Sequence, residues 1–417
     1  MRKSITEDQI AAMPETMGVL ETIMREGARK MLQAALEVEI EEHLERYKGI
    51  VDSFGNRLVV RNGSQPERRI LTGAGPIPVK RPRVDDRALD ASGKERFTSR
   101  ILPPFMRRAA SIDTLVPALY LKGISTDDFP TALEAILGPQ AKGLSASTVV
   151  RLKEIWTEEH IEWSKRDLSG KRYVYVWADG VYCNARLEDE RSCLLVLMGA
   201  DSFGNKELIA VSDGFRESSQ SWKELLLDLR SRGLVIDPAL VVCDGAMGFQ
   251  AAAVEVWPKT RIQRCWFHKS GNVLDKLPSS IQAKAKAMLH DMYLSPTRED
   301  ALKAFDLFVG SFGAKYPKAT ECLVKDKGDL FAFYDFPAAH WIHLRTTNPI
   351  ESTFATVRLR HRKTKGCGTR KATLAMVYKL CREAEKGWRR LDGYKLIPLV
   401  EAGKKFVNGE QVDEAAA

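Results

Sequence analysis

The sequence has few cysteines and no long apolar run, and each shortage excludes a class of protein. Seven cysteines are scattered through 417 residues without the spacing of a disulfide framework, which is typical of a reducing compartment. No run approaches the roughly 18 apolar residues of a membrane span, and the start lacks the apolar stretch of a signal peptide. No internal repeat is visible. We therefore expect a cytoplasmic protein with mostly unpaired thiols and no membrane contact.

Acidic residues are also in short supply relative to basic ones. Lys and Arg number 64 against 55 Asp and Glu, which gives a formal charge of +9 and a pI near 9.1. A basic balance favours a polyanionic partner. With 44% hydrophobic and 29% charged residues, the composition is that of a globular protein, and the length indicates several modules.

The segment from Lys171 to Gly180 organises the chain. Residues at both odd and even positions are apolar from Tyr173 to Ala178, which predicts a central strand covered on both faces. Asp179 is expected at its C-terminal end, where open α/β sheets place their ligands. The segment Leu240–Gly245 repeats the pattern and ends on Asp244.

The elements around these two segments predict an α/β domain. Further strands are expected over Ser192–Met198 and Glu207–Val211, a helix over Ser218–Arg232 and a fifth strand over Arg261–Phe267. The order is strand, strand, strand, helix, strand, with Asp179 on the first strand and Asp244 on the fourth. From Asn272 to about Phe333 the sequence is helical without a strand signal, which predicts an inserted all-α region.

Three N-terminal modules precede this domain. A helix is predicted from about Pro14 to Tyr47, with an apolar face that either packs on its own domain or forms a dimer. Residues 56–82 are rich in Arg and Gly and predict a basic hairpin region, which is either a phosphate-contacting ribbon or a solvated loop. Three helices over Ser111–Trp156 favour a helix-turn-helix. Its third, basic helix places Arg151 and Lys153 as candidate DNA contacts, although three-helix bundles without DNA are common.

A helix is predicted to begin at Asn348, because Asn348 can cap, Pro349 suits the first turn and Glu351 follows. Its far end carries the densest basic cluster in the chain, and no acid occurs between Arg358 and Lys371. The candidate DNA contacts in this cluster are Arg358, Arg360, Arg362, Lys363 and Lys365.

Asp179, Asp244 and Glu351 together have the chemistry of a metal-dependent phosphodiester site. Such chemistry uses hard oxygen ligands around Mg²⁺ or Mn²⁺ ions. Singly, each residue has an ordinary explanation, since Asp-Gly after a strand is usually a turn and a glutamate in a first helical turn is usually a cap. Their combination with the strand order and the basic helix favours the site.

Several strings resemble a known family. The element order with the three acids resembles the ribonuclease-H-like DDE transposases, and the strings resemble the bacterial Mutator-type insertion-sequence transposases. The matching strings are Tyr120–Ser125, Trp177–Tyr182, Asp244-Gly245, Cys265–His268 and Arg345–Ser352. The resemblance implies a ribonuclease-H-like catalytic core with a βββαβ order, an all-α insertion and N-terminal DNA-binding modules.

The resemblance also implies an activity: Mg²⁺-dependent cleavage at terminal inverted repeats, followed by strand transfer into target DNA. The family's three acids correspond to Asp179, Asp244 and Glu351, which are the implied metal ligands and catalytic residues. Its Cys-x-x-His signature corresponds to Cys265 and His268, and we expect His268 to donate to a DNA phosphate or a catalytic oxygen. The expected partners are double-stranded DNA and further copies of the chain, in a bacterial cytoplasm and at the nucleoid.

Four alternatives stay open. Cys265 and His268 could join His340 and His343 in a zinc site, although a strand would turn Cys265 and His268 to opposite sides. Trp341, beside Arg345 of the matched string, is either a core residue or a platform for an unpaired base, and we include both as candidate DNA contacts. A DNA-binding regulator and a structure-specific nuclease are the alternative functions.

These patterns divide the chain into seven regions. We expect an N-terminal helical region, a basic hairpin region, a helix-turn-helix domain, the first part of the catalytic core, an all-α insertion, a catalytic and basic helical region, and a tail. Their bounds are 1–50, 51–110, 111–165, 170–271, 272–340, 341–400 and 401–417.

Overall fold

The computed structural model describes residues 16–92, 96–122, 124, 128–137, 146–184, 191–214, 218–245, 247–363 and 369–412. The chain forms two compact units, one spanning residues 1–149 and the other 150–417. Within the described ranges, no helix combines the length and the apolar character that crossing a membrane requires.

The first unit combines one long helix with two nested pairs of strands. Helix α1 (Thr16–Arg46) precedes β1 (Val60–Ser64), β2 (Arg68–Thr72), β3 (Gly75–Val79) and β4 (Pro82–Asp85). Strands β2 and β3 form an antiparallel hairpin, and β1 pairs with β4 outside it. The predicted basic hairpin region therefore contains a β hairpin, with a second pair of strands around it.

The apolar face of α1 is only partly buried. Leu36 is buried against Ile70 and Ile77 of the hairpin, with Leu32 packed beside them. Leu20, Ile23, Met24 and Met31, however, are 55–69% exposed. The apolar face predicted from the sequence combines residues from two faces of the helix, because residues spaced three and four apart drift around the axis over 31 residues. Packing on its own domain thus applies to the C-terminal half, and dimerisation through the exposed half stays a prediction.

Three helices follow: α2 (Ala110–Leu121), α3 (Phe129–Leu137) and α4 (Ala146–Ser164). They confirm the three expected helices. The predicted turn at Gly123 and the cap residues Ser125–Asp127 lie outside the described ranges, and the helix-turn-helix stays a prediction. Helix α4 extends into the second unit, where His160 Nε2 lies 2.9 Å from the carbonyl oxygen of Val211.

The second unit contains a five-stranded mixed sheet. Its strands are β5 (Tyr173–Asn184), β6 (Arg191–Asp201), β7 (Lys206–Gly214), β8 (Leu240–Cys243) and β9 (Arg261–Arg264), in the spatial order β7-β6-β5-β8-β9. The first three pair antiparallel, and β5, β8 and β9 run parallel. The first and fourth strands of the sheet are therefore direct neighbours.

Both faces of β5 are covered, as the apolar run predicts. Val176 and Ala178 belong to a core with helices α5 (Ser219–Ser231) and α6 (Met247–Val256). On the opposite face, Tyr175 Oη lies 2.8 Å from His340 Nδ1, and Trp177 Nε1 donates to the carbonyl of His343 over 2.9 Å. This double burial makes β5 the centre of the unit.

The turn chemistry of this region follows the sequence closely. Between β6 and β7, Asp201 Oδ1 accepts the amides of Phe203 and Asn205, and Gly204 supplies the left-handed conformation with φ +79°. Ser218 caps α5 by accepting the amide of Ser221 over 3.1 Å.

Two strand ends differ from the prediction. Strand β5 does not end at Asp179 but continues to Asn184, because Val181–Cys183 keep pairing with β6. The strand preference of these side chains outweighs the weakening effect of Gly180. Strand β9 ends at Arg264, and a helix begins at Trp266, so the expected strand over Arg261–Phe267 is wrong in its second half.

The inserted region is helical, as expected. After α7 (Trp266–Leu274) come α8 (Ser279–Leu294), α9 (Arg298–Phe312), α10 (Pro317–Val324) and α11 (Lys327–Leu330), then short 3-10 turns and α12 (Trp341–Leu344). The chain returns to the sheet with α13 (Asn348–Lys363) and α14 (Arg370–Glu385), followed by α15 (Ile397–Glu401), β10 (Phe406–Val407) and β11 (Glu410–Gln411).

Two adjacent leucines of α5 test how strongly burial stabilises the second unit. Leu226 is fully buried, whereas Leu227 is 48% exposed. We expect Leu226→Ala to lower the free energy of unfolding by about 2–5 kcal/mol, because it removes packed methyl groups and leaves a cavity. Leu227→Ala should change it by less than about 0.5 kcal/mol. Urea unfolding of both variants checks the difference, and equal losses would contradict the packing.

Candidate active site

Asp179 and Asp244 are brought together by the register of two parallel strands. Ala178 of β5 pairs with Cys243 of β8, so the two aspartates follow the last paired residues side by side. Asp179 is 5% exposed, and its Oδ1 accepts the amide of Gly180 over 2.8 Å. Because the pairing with β8 stops here while β5 continues beside β6, Asp179 lies at an edge of the parallel part of the sheet, not at the end of its own strand.

Glu351 reaches the same place from the first turn of α13. The helix begins at Asn348, and the carbonyl of Thr347 accepts the Glu351 amide over 3.0 Å, so the start lies one residue earlier than a cap at Asn348 implies. The hydroxyl of the fully buried Thr347 donates to Glu351 Oε1 over 3.1 Å. The position of this carboxylate is therefore fixed by the residue that opens its helix.

Cys265 and His268 face the same side. The chain turns into α7 directly after Cys265, so His268 falls one helical turn later. His268 Nε2 lies 3.1 Å from Glu351 Oε1, and Cys265 Sγ lies 3.4 Å from both the hydroxyl and the amide of Thr347. The expectation that a strand would separate Cys265 from His268 was wrong, because the strand is four residues long.

The electrostatics of these groups indicate a shared site. Burial, followed by the charge of Asp244, raises the pKa of Asp179 to about 7, with a smaller contribution from Glu351. Burial alone would lower the pKa of His268, but Cys265, Asp179 and Glu351 outweigh it and raise that pKa to about 9. A protonated His268 therefore partly offsets the repulsion among the carboxylates.

The donor atoms fit a hard divalent cation. Asp179, Asp244 and Glu351 offer carboxylate oxygens, which are the ligands that Mg²⁺ and Mn²⁺ prefer. The raised pKa of Asp179 supports this fit, because a cation among like charges would lower it again. Among the described residues, the candidate group whose ligand atoms lie within 4.8 Å of one another is softer and consists of Cys265, His268 and Glu351.

The four-ligand zinc site of the sequence analysis does not assemble. His340 is fully buried, with Nδ1 near Tyr175 Oη and Nε2 3.0 Å from the carbonyl of Gly393. His343 Nε2 accepts the amide of Asp392 over 3.0 Å. Within the described part of the chain, the candidate metal-binding group that contains Cys265 and His268 includes neither histidine.

Trp341 and Arg345 lie in an aromatic cluster of the inserted region. Trp341 is 7% exposed, and its Nε1 donates to the carbonyl of Phe336 over 2.8 Å. The Arg345 guanidinium stacks over the rings of Phe333 and Trp341 at 4.9 and 5.2 Å. This burial favours the core role of Trp341 over the stacking platform, because a base needs an open ring face.

The basic cluster of α13 has two faces. Arg358 and Arg362 are exposed and line a cavity of about 270 Å³ with Val181 and Tyr182 of β5. Arg360, in contrast, is 1% exposed. The expectation that Arg360 contacts DNA is therefore corrected: at 3.6 residues per turn it points to the opposite side of the helix from its neighbours. The side chains of Lys363 and Lys365 lie outside the described part.

The expected recognition helix is placed on α4. Arg151 is exposed and Lys153 half-buried, and toward the far end of the same helix His160, 8% exposed, lies with its Nε2 2.9 Å from the carbonyl oxygen of Val211. Arg151 and Lys153 thus lie on a helix whose C-terminal part is fixed to the second unit.

Two supporting residues were missed from the sequence. Thr347 had no assigned role, although it lies in the string that matched the family. Arg264 is 3% exposed, pairs with Asp326 over 3.0 Å and packs against Gly245, the residue after Asp244. Asp326 also pairs with the buried Lys269 of α7. No local signal marks an arginine at a strand end as a support for a loop 19 residues earlier.

Carboxylates grouped around the buried Asp179, beside exposed arginines, are chemically suited to metal-dependent work on a polyanion, and comparison with known proteins gives the family. The sequence model described as "Transposase, Mutator family" matches residues 2–391. The chain belongs to this family of transposases, which confirms the resemblance and makes DNA transposition the activity of its class.

Individual relatives agree. The chain is 49% identical over 299 residues to the transposase for insertion sequence element IS6120 of Mycolicibacterium smegmatis, covering 72% of this chain and 92% of that one. It is 47% identical over 285 residues to the transposase for IST2 of Acidithiobacillus ferrooxidans, covering 67% and 94%. A Drosophila P element transposase strand transfer complex aligns over 78% of this chain and 86% of its own at 12% identity. Its TM-score of 0.30 is too low to show a shared fold.

The contact between Gly245 and Arg264 gives a testable prediction. Gly245 has φ +84°, and a Cβ there would overlap the Arg264 guanidinium. We expect Gly245→Ala to lower the free energy of unfolding by at least about 1 kcal/mol through backbone strain and the displaced arginine. Denaturant unfolding measures it.

Gly271 of α7 is the matched control, since a Cβ there meets nothing within 4 Å. Gly271→Ala should stabilise the protein by up to about 1 kcal/mol, because alanine favours a helix interior. A Gly245→Ala protein as stable as the parent would contradict the close packing of Arg264.

Proposed function

We propose that this chain binds the terminal inverted repeats of an insertion sequence and catalyses Mg²⁺-dependent strand cleavage and strand transfer. The observation that carries the proposal is the meeting of Asp179 and Asp244 at the end of paired parallel strands, with Glu351 delivered by α13. The spatial strand order β7-β6-β5-β8-β9 supports a ribonuclease-H-like classification of the sheet.

The three carboxylates would hold the metal. Bound Mg²⁺ or Mn²⁺ would activate the attacking oxygen and stabilise the leaving oxygen of the phosphodiester. The chain's own contribution is to hold the ligands: Thr347 donates to Glu351, and His268 lies on the same oxygen at 3.1 Å. Both contacts restrain a side chain with three rotatable bonds, and such outer partners orient metal ligands. The burial of Asp179 keeps bulk water from its carboxylate.

The exposed face of α13 would hold the DNA backbone. Arg358 and Arg362 lie four residues apart on one helix face, beside the extension of β5 that follows Asp179. Guanidiniums in this place suit phosphate oxygens on either side of the cleaved bond. Lys363 and Lys365 continue the same basic stretch, and Arg151 and Lys153 of α4 are proposed as contacts to the repeat sequence.

The acids are tested by amide substitution. We expect Asp179→Asn, Asp244→Asn and Glu351→Gln each to reduce cleavage of an inverted-repeat DNA by more than about 100-fold, since even outer partners of metal sites contribute 10- to 100-fold. Mg²⁺ or Mn²⁺ should support the activity, and Ca²⁺ should support it poorly because of its longer, looser coordination. Gel assays of cleavage and of strand joining measure both steps.

The matched control is Glu321→Gln, which changes an exposed acid of α10 and should leave the rate unchanged. Near-parent activity of any of the three amide variants would remove that residue from the site. Cleavage without joining would favour the nuclease. Binding without either step would favour the regulator, and stoichiometric zinc that is lost with Cys265→Ser would assign the softer ligand set.

Arg362 and Arg360 form a second matched pair. Arg362→Ala should weaken binding to all duplex sequences and lower the salt slope by about 0.9, because one phosphate contact and its released counterion are lost. Arg360→Met should leave the salt slope unchanged, since its side chain is buried. Binding at several KCl concentrations measures the slopes. A smaller slope for Arg360→Met, at unchanged stability, would contradict the assigned faces.

A further inference from the structure

A second basic cavity lies in the first unit. It has a volume of about 560 Å³ and is lined by β2 and by the turn before α2. We name it the arginine pocket. Its walls carry four arginines and no carboxylate, and an exposed aromatic ring lies among them. The lining residues that matter are Gln65, Arg68, Arg69, Arg81, Phe105 and Arg107.

The pocket is built on a paired backbone. The amide of Leu71 on β2 donates to the carbonyl of Arg107 over 2.9 Å, and the amide of Ala109 donates back to Leu71 over 2.8 Å. The amide of Gln65 donates to the carbonyl of Arg81 over 2.8 Å. All sides of the pocket are therefore tied to the hairpin, and a ligand would meet guanidiniums on a preorganised frame.

The charge in the pocket is uncompensated. Among the described residues, none of Arg68, Arg69, Arg81 and Arg107 forms an ion pair with a carboxylate. Guanidiniums stay protonated at any physiological pH, so the four repel one another. Burial, followed by the charge of Arg81, lowers the pKa of Arg68. An anion between them would remove this repulsion.

Two arginines also have unused donors. Arg68 Nη2 donates to the carbonyl of Pro103 over 3.2 Å, which fixes the guanidinium against the turn. Arg68 Nε and Arg81 Nε, however, are buried without an acceptor within the described part of the chain. Buried donors without acceptors are unfavourable, and a small shift of either side chain toward a bound anion would give them one.

Phe105 is the least expected residue of the pocket. It is 93% exposed, and its backbone has φ +66°, in the left-handed region that favours glycine. A phenylalanine here is strained and gains nothing from burial. An aromatic ring held beside arginines is suited to pack on a sugar or to enter between base steps, as apolar side chains do in DNA complexes.

We propose that the arginine pocket binds the phosphodiester backbone of double-stranded DNA, with Phe105 packed against the adjacent sugar or base step. The charges alone would also accept free phosphate, but a small anion would leave the aromatic ring without a role. The choice of DNA as the polyanion rests on the proposed function, whereas the pocket itself does not depend on the three acids.

The test measures DNA binding by the full-length protein in EDTA, so that cleavage does not interfere. Arg69→Ala and Arg107→Ala should each weaken binding to element-end and random duplexes alike and lower the salt slope by about 0.9. Both side chains are exposed, so neither change should unfold the chain. Arg87→Ala is the control, because Arg87 is already paired with Asp85, and it should leave affinity and slope unchanged.

Phe105→Gly separates the ring from the charges. It should lower the affinity by about 5- to 100-fold, the range for lost aromatic contacts to bases, without changing the salt slope. The melting temperature should stay constant or rise, because glycine relieves the strained backbone. Phe54→Ala, at an equally exposed phenylalanine of the same unit, should affect neither.

Unchanged DNA affinity in the Arg69, Arg107 and Phe105 variants would overturn the proposal. The proposal would also be overturned if millimolar inorganic phosphate saturated the pocket at constant ionic strength while every variant kept its DNA binding. That result would assign a small-anion site. If the variants kept DNA binding but no longer bound an acidic peptide, the pocket would be assigned to a protein partner. Cleavage by the parent protein is measured separately, so a failed pocket and a failed catalytic assignment give different results.

Discussion

Like charges crowded around the buried Asp179 are the constraint on which the second unit depends. The register of β5 and β8 places Asp179 beside Asp244, and α13 brings Glu351 toward both. Left alone, such a group would hold a proton or move apart. His268 opposes the repulsion from one side, and Thr347 fixes Glu351 from another. These contacts order the side chains themselves, and the divalent cation that we propose would complete their charge balance.

The inserted helices contribute to this order at a distance. Asp326 follows α10 and pairs with both Arg264, at the end of β9, and Lys269, in the helix that carries His268. Arg264 in turn packs against Gly245, beside Asp244. One carboxylate of the insertion thus links the supports of two site residues. Breaking a buried pair of this kind by removing one partner is strongly destabilising, which gives the insertion a structural role besides any contact with DNA.

Much of the central unit could be predicted because its signals are local. The apolar run of β5, the capping Ser218 of α5 and the turn over Asp201–Asn205 before β7 each act within a few residues. The errors also have local causes. An Asp-Gly pair inside β5 was taken for a strand end, and the turn into α7 was missed because Trp266 and Phe267 favour strands. Arg360 was grouped with its basic neighbours, although helical periodicity turns it inward.

The sequence by itself determined the family and the succession of strands along the chain, and it singled out the three acids that we propose as metal ligands, because these are carried by short strings and by hydrophobic periodicity. Only the tertiary structure decided which residues support the acids and which arginines face outward. Thr347, Arg264 and Asp326 acquire their roles from contacts between residues far apart in the chain, and no neighbour in the sequence announces such contacts. The arginine pocket has the same origin: its four guanidiniums come from three segments, since Arg68 and Arg69 are adjacent, and they form one surface only after the hairpin and the turn before α2 pair through their backbones.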